Sequence, residues 1–267
     1  MTVRPIMRGG GTLFWRGGTA IGVLGLHGFT ATPSEIGWLG ADLHGAGHTV
    51  LLPRLFAHGT DPRDMARARW KDWLASACDG LAVLSASCER VIVVGHSMGG
   101  MLAMLLAAHA QPQDRLAGAA VLASPIPLPD ALLRTTRLGK RLRPYTQQPD
   151  TSDLGEVVRE EQGRRGDPVV GRVRYDLWST SALEQLVLLS KAADAALPQV
   201  SLPLLLLYST RDETAPAVFG ERIAARAATS DITLRISDYR GHIVTQDRAR
   251  DAVFAEVREF VTHAAGR

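Results

Sequence analysis

Short apolar segments alternate along the chain with longer segments that have helical spacing. The apolar segments, each predicted to be a strand, are Ala20–Leu26, Thr49–Leu52, Val91–Val94, Leu116–Leu122, Pro203–Tyr208 and Ile232–Ile236. The predicted helices are one that opens near Thr32 and the ranges Arg69–Leu84, Met98–Ala110, Ser181–Ala196 and Thr245–Ala264. Strands that alternate with helices pair in parallel, because each helix carries the chain back to the start of the next strand. The sequence therefore predicts an α/β fold with a mostly parallel central sheet flanked by helices.

The alternation stops after Pro125 and resumes at Pro203. The part between, roughly 126–195, contains several helix candidates and no convincing buried strand. A parallel sheet needs its next strand, so a long insertion without strands must leave the sheet and cover its edge or its carboxyl end. We therefore expect a core made of residues 1–125 and 196–267, with residues 126–195 forming a helical cap over it.

Composition limits the classes of function. Hydrophobic residues make up 46% of the chain and charged residues 21%, which suits a domain with a sizeable core. The net charge is only +3 and forms no basic stripe, which argues against nucleic acid as a partner. Two cysteines make no disulfide framework, and no apolar run approaches the ~18 residues of a membrane helix. We expect a cytoplasmic protein without stable membrane insertion, metal or cofactor.

The segment Gly95-His96-Ser97-Met98-Gly99 matches the pattern G-x-S-x-G. It lies between a run of β-branched residues, typical of a buried strand, and a helix that is apolar nearly all round. A serine on such a sharp strand-to-helix turn has strained backbone and leaves no room for side chains two residues to either side. The turn also lies at the carboxyl end of the sheet, where α/β folds bind ligands. Ser97 is therefore the candidate nucleophile.

A serine hydroxyl needs a base to take its proton, and histidine is the expected partner. In this arrangement the base follows the last strand and precedes the last helix, which is the position of His242. His109 and His263 fall on predicted helices, where packing or surface roles are expected. His27 is expected to form a hydrogen bond within its own loop.

The third group is a carboxylate that orients the imidazole. Asp212 is the best candidate, because it follows directly after the strand Pro203–Tyr208 and its loop lies at the carboxyl end of the sheet. Glu213 and Asp238 remain as alternatives. The chain order Ser, Asp, His is the one found in α/β-hydrolases.

Acyl transfer also requires N–H donors for the oxyanion of the tetrahedral intermediate. One is expected at the residue after the nucleophile, here Met98, and the other in the loop after an earlier strand. The second loop contains His27-Gly28-Phe29, so Phe29 supplies the candidate N–H. Its ring could also form a wall of the acyl pocket.

A capping box is predicted where the first helix opens. Thr32 suits the N-cap position, Pro33 the first helical position and Glu35 the third. In this motif the glutamate side chain reaches back to the N-cap backbone.

Several of these stretches resemble bacterial carboxylesterases and monoacylglycerol lipases of the α/β-hydrolase superfamily. The stretches are Leu26–Pro33, Leu52–Leu55 with Gly59-Thr60, Trp70–Trp73 and Val94–Gly100. The resemblance covers at least 20–110, resumes around Ser181–Tyr208 and continues to the carboxyl end. It implies an α/β-hydrolase fold and a cofactor-free serine hydrolase of small, often medium-chain, carboxylic esters. By motif position it supports Ser97, Asp212 and His242, together with the amides of Phe29 and Met98.

The predicted cap matches this family weakly. Its apolar stripe of Leu183, Leu186 and Val187 is expected to pack on the core or to form a wall of the acyl or alcohol pocket. Its basic run of Arg134, Arg137, Lys140, Arg141 and Arg143 is expected to be a solvated helix face, with recognition of an anionic substrate or surface as the alternative.

The favoured interpretation is a serine carboxylic-ester hydrolase acting on a small-molecule ester of short to medium chain length, with monoacylglycerols included. One alternative is a carbon–carbon bond hydrolase of the meta-cleavage type on the same triad. The other is a non-catalytic ligand-binding protein on the same fold, since a fold alone does not determine function.

Overall fold

A seven-stranded sheet forms the centre of the protein. The structure, a computed structural model, describes residues 4–148, 153–238 and 241–266. The strands are β1 (Leu13–Trp15), β2 (Gly18–Leu26), β3 (His48–Leu52), β4 (Arg90–His96), β5 (Leu116–Leu122), β6 (Tyr145–Gln147), β7 (Leu177–Ser179), β8 (Leu204–Ser209) and β9 (Ile232–Ser237). The sheet order is β1-β3-β2-β4-β5-β8-β9, and only the β1–β3 pair is antiparallel among these neighbours. The predicted mostly parallel sheet is confirmed.

Helices cover both faces of this sheet. They are α1 (Gly37–Gly45), α2 (Trp70–Ser87), α3 (Met98–His109), α4 (Asp130–Gly139), α5 (Leu154–Arg165), α6 (Thr180–Ala196), α7 (Val218–Arg226) and α8 (Arg250–Ala265). In β4, Val91 and Val93 pack in the layer of α2 and α3, whereas Ile92 and Val94 pack in the layer of α1 and α8. Because both faces are buried, the strand is apolar at successive positions rather than at every second one.

Two predicted helix starts differ from the structure. The first segment begins as a 3-10 helix at Pro33–Ile36, and the predicted capping box does not form there. The hydroxyl of Thr32 donates instead to the carbonyl of Val173, and Glu35 points inward. The last helix begins at Arg250 rather than near Thr245, because Thr245 donates its hydroxyl proton to the carbonyl of Glu35. In both places contacts between distant parts of the chain outweigh the local pattern.

The segment between β5 and β8 contains more than helices. Besides α4, α5 and α6 it forms the antiparallel strand pair β6 and β7, so the expectation of an insertion without strands was wrong. The pair has three residues in each strand and lies apart from the main sheet. The segment is tied to the loop after β2, where the Tyr175 N–H donates to the carbonyl of Thr30. Among the described residues, no helix has the length and apolar character to cross a membrane.

The turn from β4 to α3 requires two glycines. A methyl group added at Gly99 would overlap the carbonyl oxygen of Leu26, and one added at Gly95 would overlap the backbone of Gly99. The neighbours in both cases are backbone atoms, which cannot rotate away as a side chain can. The start of α3 therefore lies directly against the end of β2.

We expect Gly99→Ala to destabilise the protein by at least ~1–3 kcal/mol, because the added methyl forces backbone apart in a packed core. The control is Gly163→Ala on α5, where an added methyl meets no atom within 4 Å. It should be neutral or stabilising by up to ~1 kcal/mol, since glycine weakens a helix interior. Urea unfolding of both variants measures the difference. Equal stability of the two variants would show that the β2–α3 contact can relax.

Candidate active site

Ser97 lies at the turn between β4 and α3 in a conformation that non-glycine residues rarely adopt. Its φ is 53° and its ψ is −114°. Such backbone costs about 1–3 kcal/mol and persists only where neighbours hold it. The Ser97 N–H donates to the carbonyl of Leu122 at 2.8 Å, and the Ser124 hydroxyl donates to the carbonyl of Ser97 at 2.7 Å. These two bonds, to the last residue of β5 and to the loop after it, hold the serine with its hydroxyl at the cavity.

The structure brings the three predicted residues Ser97, Asp212 and His242 into one hydrogen-bonded row. The distance from His242 Nε2 to Ser97 Oγ is 2.9 Å, and that from His242 Nδ1 to Asp212 Oδ2 is 2.7 Å. An ionised carboxylate can only accept a hydrogen bond, so Nδ1 carries the ring proton and donates a hydrogen bond to Asp212. Nε2 of the neutral ring is then free to accept the hydrogen bond of the serine hydroxyl. This is the arrangement that raises the nucleophilicity of a serine.

Asp212 is buried, with an exposed fraction of 4%, and three groups donate hydrogen bonds to its carboxylate. Besides His242, the N–H groups of Thr214 and Ala215 donate to its Oδ1 at 2.8 and 2.9 Å. Burial alone would raise the pKa of Asp212, but His242 and the two backbone donors lower it below its ordinary value. The alternative carboxylates lie elsewhere: Glu213 is exposed, and Asp238 pairs with Arg211 at 3.4 Å.

His27 fixes the loop that contains Phe29. Its Nδ1 lies 2.9 Å from the carbonyl oxygen of Gly28 and therefore donates, while its Nε2 accepts the N–H of Leu55 at 3.3 Å. Burial lowers the pKa of His27 to about 4, so the ring is neutral near pH 7 with its proton on Nδ1. In a trans peptide the N–H points opposite to the carbonyl. By holding the Gly28 carbonyl, His27 therefore sets the direction of the Phe29 N–H.

The other predicted donor, Met98, is the first residue of α3. The first N–H groups of a helix have no acceptor within that helix, and the helix dipole adds partial positive charge at this end. Since Gly99 packs against the end of β2, the N–H of Met98 and the loop containing Phe29 are close neighbours. The two positions suit an oxyanion next to Ser97.

Two further polar residues at the site escaped the sequence reasoning. Glu35 Oε1 accepts the N–H of Gly28 at 2.7 Å and also contacts His96 Nδ1 at 2.9 Å. His96 Nε2 in turn donates to the carbonyl of His242 at 2.9 Å. The only signals were that Glu35 follows the Phe29 loop closely and that His96 occupies a variable position of the serine motif. A capping role explained the first equally well.

A cavity of about 380 Å³ opens above Ser97 and is mainly apolar. Its lining includes Phe29, Met101, Pro125, Leu128, Leu132, Arg172, Arg174, Trp178, Leu183, Leu186 and Ile243. The rings of Phe29 and Trp178 meet edge to face with centroids 5.5 Å apart. Residues of the core and residues of the insertion thus together form the walls around the serine hydroxyl.

The predicted substrate-binding residues are not all in this lining. Phe29, Leu183 and Leu186 are among the lining residues, whereas Val187 is not. Val187 lies one turn beyond Leu183 and has an exposed fraction of 0%, so it offers a substrate no surface. Contrary to the prediction, Val187 is therefore not part of the cavity wall.

The basic run of α4 and the residues after it also lies outside the cavity lining. Arg137 and Lys140 both bind Glu184, at 3.2 and 2.7 Å, which ties α4 to α6. Arg134, Arg141 and Arg143 are exposed. The run is therefore a partly paired, solvent-facing surface of the insertion.

Comparison with known proteins gives matches along nearly the whole chain. It is 28% identical to the thermostable monoacylglycerol lipase of Bacillus sp. (strain H-257), over 98% of each chain, and 24% identical to the carboxylesterase of Bacillus subtilis (strain 168), over 90% and 91%. A solved chain from work on LipS and LipT, two metagenome-derived lipolytic enzymes, superposes with a TM-score of 0.84 at 25% identity, covering 97% of this chain and 100% of that one.

A second solved structure, the monoacylglycerol lipase of Paleococcus ferrophilus, superposes with a TM-score of 0.74 at 18% identity, covering 94% of this chain and 98% of that one. At that identity the likeness supports the fold alone. The family profile described as "Alpha/beta hydrolase family" matches residues 23–256. These matches confirm the resemblance found in the sequence, and the chain belongs to the alpha/beta hydrolase family.

Proposed function

We propose that the protein is a serine carboxylic-ester hydrolase that cleaves short- to medium-chain esters, monoacylglycerols included. The observation that carries the proposal is the hydrogen-bonded row Ser97–His242–Asp212 at the base of an apolar cavity. The relatives named as a monoacylglycerol lipase and a carboxylesterase support the same chemistry. The fold alone would not, because it is compatible with many activities.

In the first half-reaction, Ser97 Oγ attacks the carbonyl carbon of the ester while its proton passes to His242 Nε2. The carbonyl oxygen becomes an oxyanion, which the N–H groups of Phe29 and Met98 stabilise. Asp212 accepts a hydrogen bond from the Nδ1–H group and stabilises the imidazolium, while the proton stays on Nδ1. The intermediate then expels the alcohol oxygen, which receives the proton from Nε2, and the acyl group stays on Ser97.

In the second half-reaction, water replaces the alcohol. His242 Nε2 takes a proton from the water as its oxygen attacks the acyl carbon, and the same two N–H groups stabilise the second oxyanion. The bond to Ser97 Oγ breaks, the proton returns to the serine, and the carboxylic acid leaves. Every proton moves between Ser97, His242, the leaving alcohol and water, so these steps need no metal and no cofactor.

We also propose that residues 126–195 act as a cap that selects substrate size, on a core of residues 1–125 and 196–267. Support comes from the cavity lining, where Leu128, Leu132, Trp178, Leu183 and Leu186 all belong to this segment. An apolar wall at a fixed distance from Ser97 admits a limited chain length. Each methylene gained or lost in such a pocket changes selectivity by about 1–3 kcal/mol.

A carbon–carbon bond hydrolase on the same triad is the second candidate. It requires a cation near the serine for the carboxylate of a vinylogous diketone acid. The basic run of α4 does not supply one, but Arg172 and Arg174 are among the cavity lining residues. Turnover of a neutral nitrophenyl ester beside that of a dienoate separates the two functions, since only the second depends on a substrate carboxylate.

Replacement of Ser97 by Ala should lower the turnover of a nitrophenyl ester by roughly 10⁴-fold or more, because the members of a triad act as a unit. Ser87→Ala, an exposed serine on α2, is the control and should keep the wild-type rate. A serine-directed phosphonate should label Ser97 alone in peptide mass spectra. Labelling at another serine, or a near-normal rate in the Ser97 variant, would refute the assignment.

The proposed base is His242, whose Nε2 accepts the proton of Ser97 Oγ. Its partner Asp212 should add no titration step in mild acid to the pH profile of kcat/KM on a neutral ester, since its lowered pKa keeps it ionised there. His242→Ala should lose the activity, whereas His263→Ala, on α8 beside Asp231, should keep both the rate and the profile. Greater loss in His27→Ala than in His242→Ala would mean that the base is assigned wrongly.

Leu186→Ala should shift the preferred acyl chain length upward, because it removes part of the cavity wall and leaves Ser97 untouched. The control is Leu138→Ala, a cap leucine on α4 with an exposed fraction of 78%. A chain-length series of nitrophenyl esters, with monoacylglycerols beside them, measures the profile. Identical profiles for wild type and Leu186→Ala, or efficient wild-type digestion of long-chain triacylglycerol, would exclude the cap as the size filter.

A further inference from the structure

A buried charged cluster next to Ser97 has no part in the proton transfers above. It consists of Glu35 and His96, whose exposed fractions are 6% and 0%. Glu35 lies after the Phe29 loop, and His96 directly precedes the serine. Burying two ionisable groups is unfavourable unless both are paired and their remaining hydrogen bonds are made. The bonds that this pair makes therefore indicate what it does.

The neighbours of His96 determine its protonation. Nε2 lies 2.9 Å from the carbonyl oxygen of His242, which can only accept, so Nε2 must carry a proton. Nδ1 lies 2.9 Å from Glu35 Oε1, the same oxygen that accepts the N–H of Gly28. An imidazolium that donates from both nitrogens to a carboxylate and a carbonyl satisfies all of these groups at once.

The electrostatics agree with that geometry. Burial by itself would lower the pKa of His96, but the carboxylate of Glu35 raises it above its ordinary value. Burial opposes the charge on Glu35 as well, yet His96 and the Gly28 N–H bring its pKa down to about 2. Among the described residues, the other titratable or charged groups that interact with the pair are His27, His58, Arg172, Asp212 and His242.

The geometry points to Glu35 and His96 as positioning residues that hold the Phe29 loop and the His242 backbone in register with Ser97. Glu35 holds the N–H of Gly28, the residue before Phe29. His96 holds the carbonyl of His242 and is covalently joined to Ser97. One ion pair thus links the segments that carry the nucleophile, the base and one oxyanion donor. This inference rests on the proposed function, because it assigns a role within the same site.

A charge-neutral replacement cannot keep these bonds. In Glu35→Gln the amide oxygen can still accept the Gly28 N–H, but a neutral His96 then fails at one ring nitrogen. With the proton on Nε2, the lone pair of Nδ1 faces the amide oxygen. With the proton on Nδ1, the lone pair of Nε2 faces the carbonyl of His242. Either tautomer places two acceptors against each other and loosens one segment of the site.

The test compares Glu35→Gln with Glu161→Gln, a matched loss of a buried ionised glutamate. Glu161 also has an exposed fraction of 6%, and its pKa is likewise lowered to about 2. Its partners are Arg164 and Arg165 on α5 and Arg250 on α8. For a neutral short-chain nitrophenyl ester at pH 8, Glu35→Gln should lower kcat by about 10- to 100-fold with little change in KM, the range expected for misplaced reacting groups. Glu161→Gln should lose stability and keep kcat.

Wild-type kcat in Glu35→Gln, or an equal kcat loss in Glu161→Gln, would overturn the inference. Should Glu35→Gln fail to fold, His96→Asn is the second variant, because it leaves Glu35 its bond to Gly28. The same loss of kcat at constant KM is expected there. A wild type that hydrolyses no ester would instead refute the proposed function.

A readout independent of activity is the nitrogen NMR spectrum of histidine-labelled protein. Wild type should show one histidine with both ring nitrogens protonated up to pH 8, and His96→Asn should remove that signal. The signal should lose one proton in Glu35→Gln at the same pH. A wild-type spectrum without a doubly protonated histidine at pH 8 would contradict the ion pair whatever the enzyme's rate.

Discussion

The contact between the end of β2 and the start of α3 is the constraint on which the site depends. The start of α3 lies so close to β2 that Gly99 has no space for a methyl group, and so close to the end of β4 that Gly95 has none either. The approach forces the strained backbone of Ser97 and places the positive end of α3 beside the Phe29 loop. A looser joint would relieve the strain but separate Ser97, the proposed nucleophile, from the N–H groups proposed to stabilise the oxyanion. Strain and preorganisation are here two effects of one contact.

Two equally buried histidines around this contact have pKa shifts in opposite directions, although burial alone lowers the pKa of both. Both ring nitrogens of His27 bind backbone groups, so burial keeps the ring neutral and the two bonds fix one tautomer. His96 is equally buried but contacts Glu35, which reverses the direction of its pKa shift. The same side chain therefore serves as a neutral bridge in one loop and as a charged bridge in the next. What decides between them is a single carboxylate oxygen.

The sheet could be predicted because buried parallel strands are apolar on both faces and leave an unambiguous pattern. The row Ser97–His242–Asp212 could be predicted for a similar reason, since each of these residues follows a strand at the same end of the sheet. The role of Glu35 could not be predicted, because one of its partners is a histidine 61 positions away in the sequence. A local capping motif explained the glutamate equally well. Val187 failed because spacing defines a helix face but not which part of it a cavity reaches.

The hydrogen bonds that join Val173 and Tyr175 to the Phe29 loop limit how the insertion can be exchanged between related proteins. An insertion that only rested on the sheet could be exchanged between relatives like an interchangeable part. Here the Tyr175 N–H binds the carbonyl next to Phe29, while Thr32 binds Val173. A chimaera that transplants the insertion alone would therefore also disturb the loop that carries the proposed oxyanion donor Phe29. To keep this geometry, the insertion has to be exchanged together with the loop after β2.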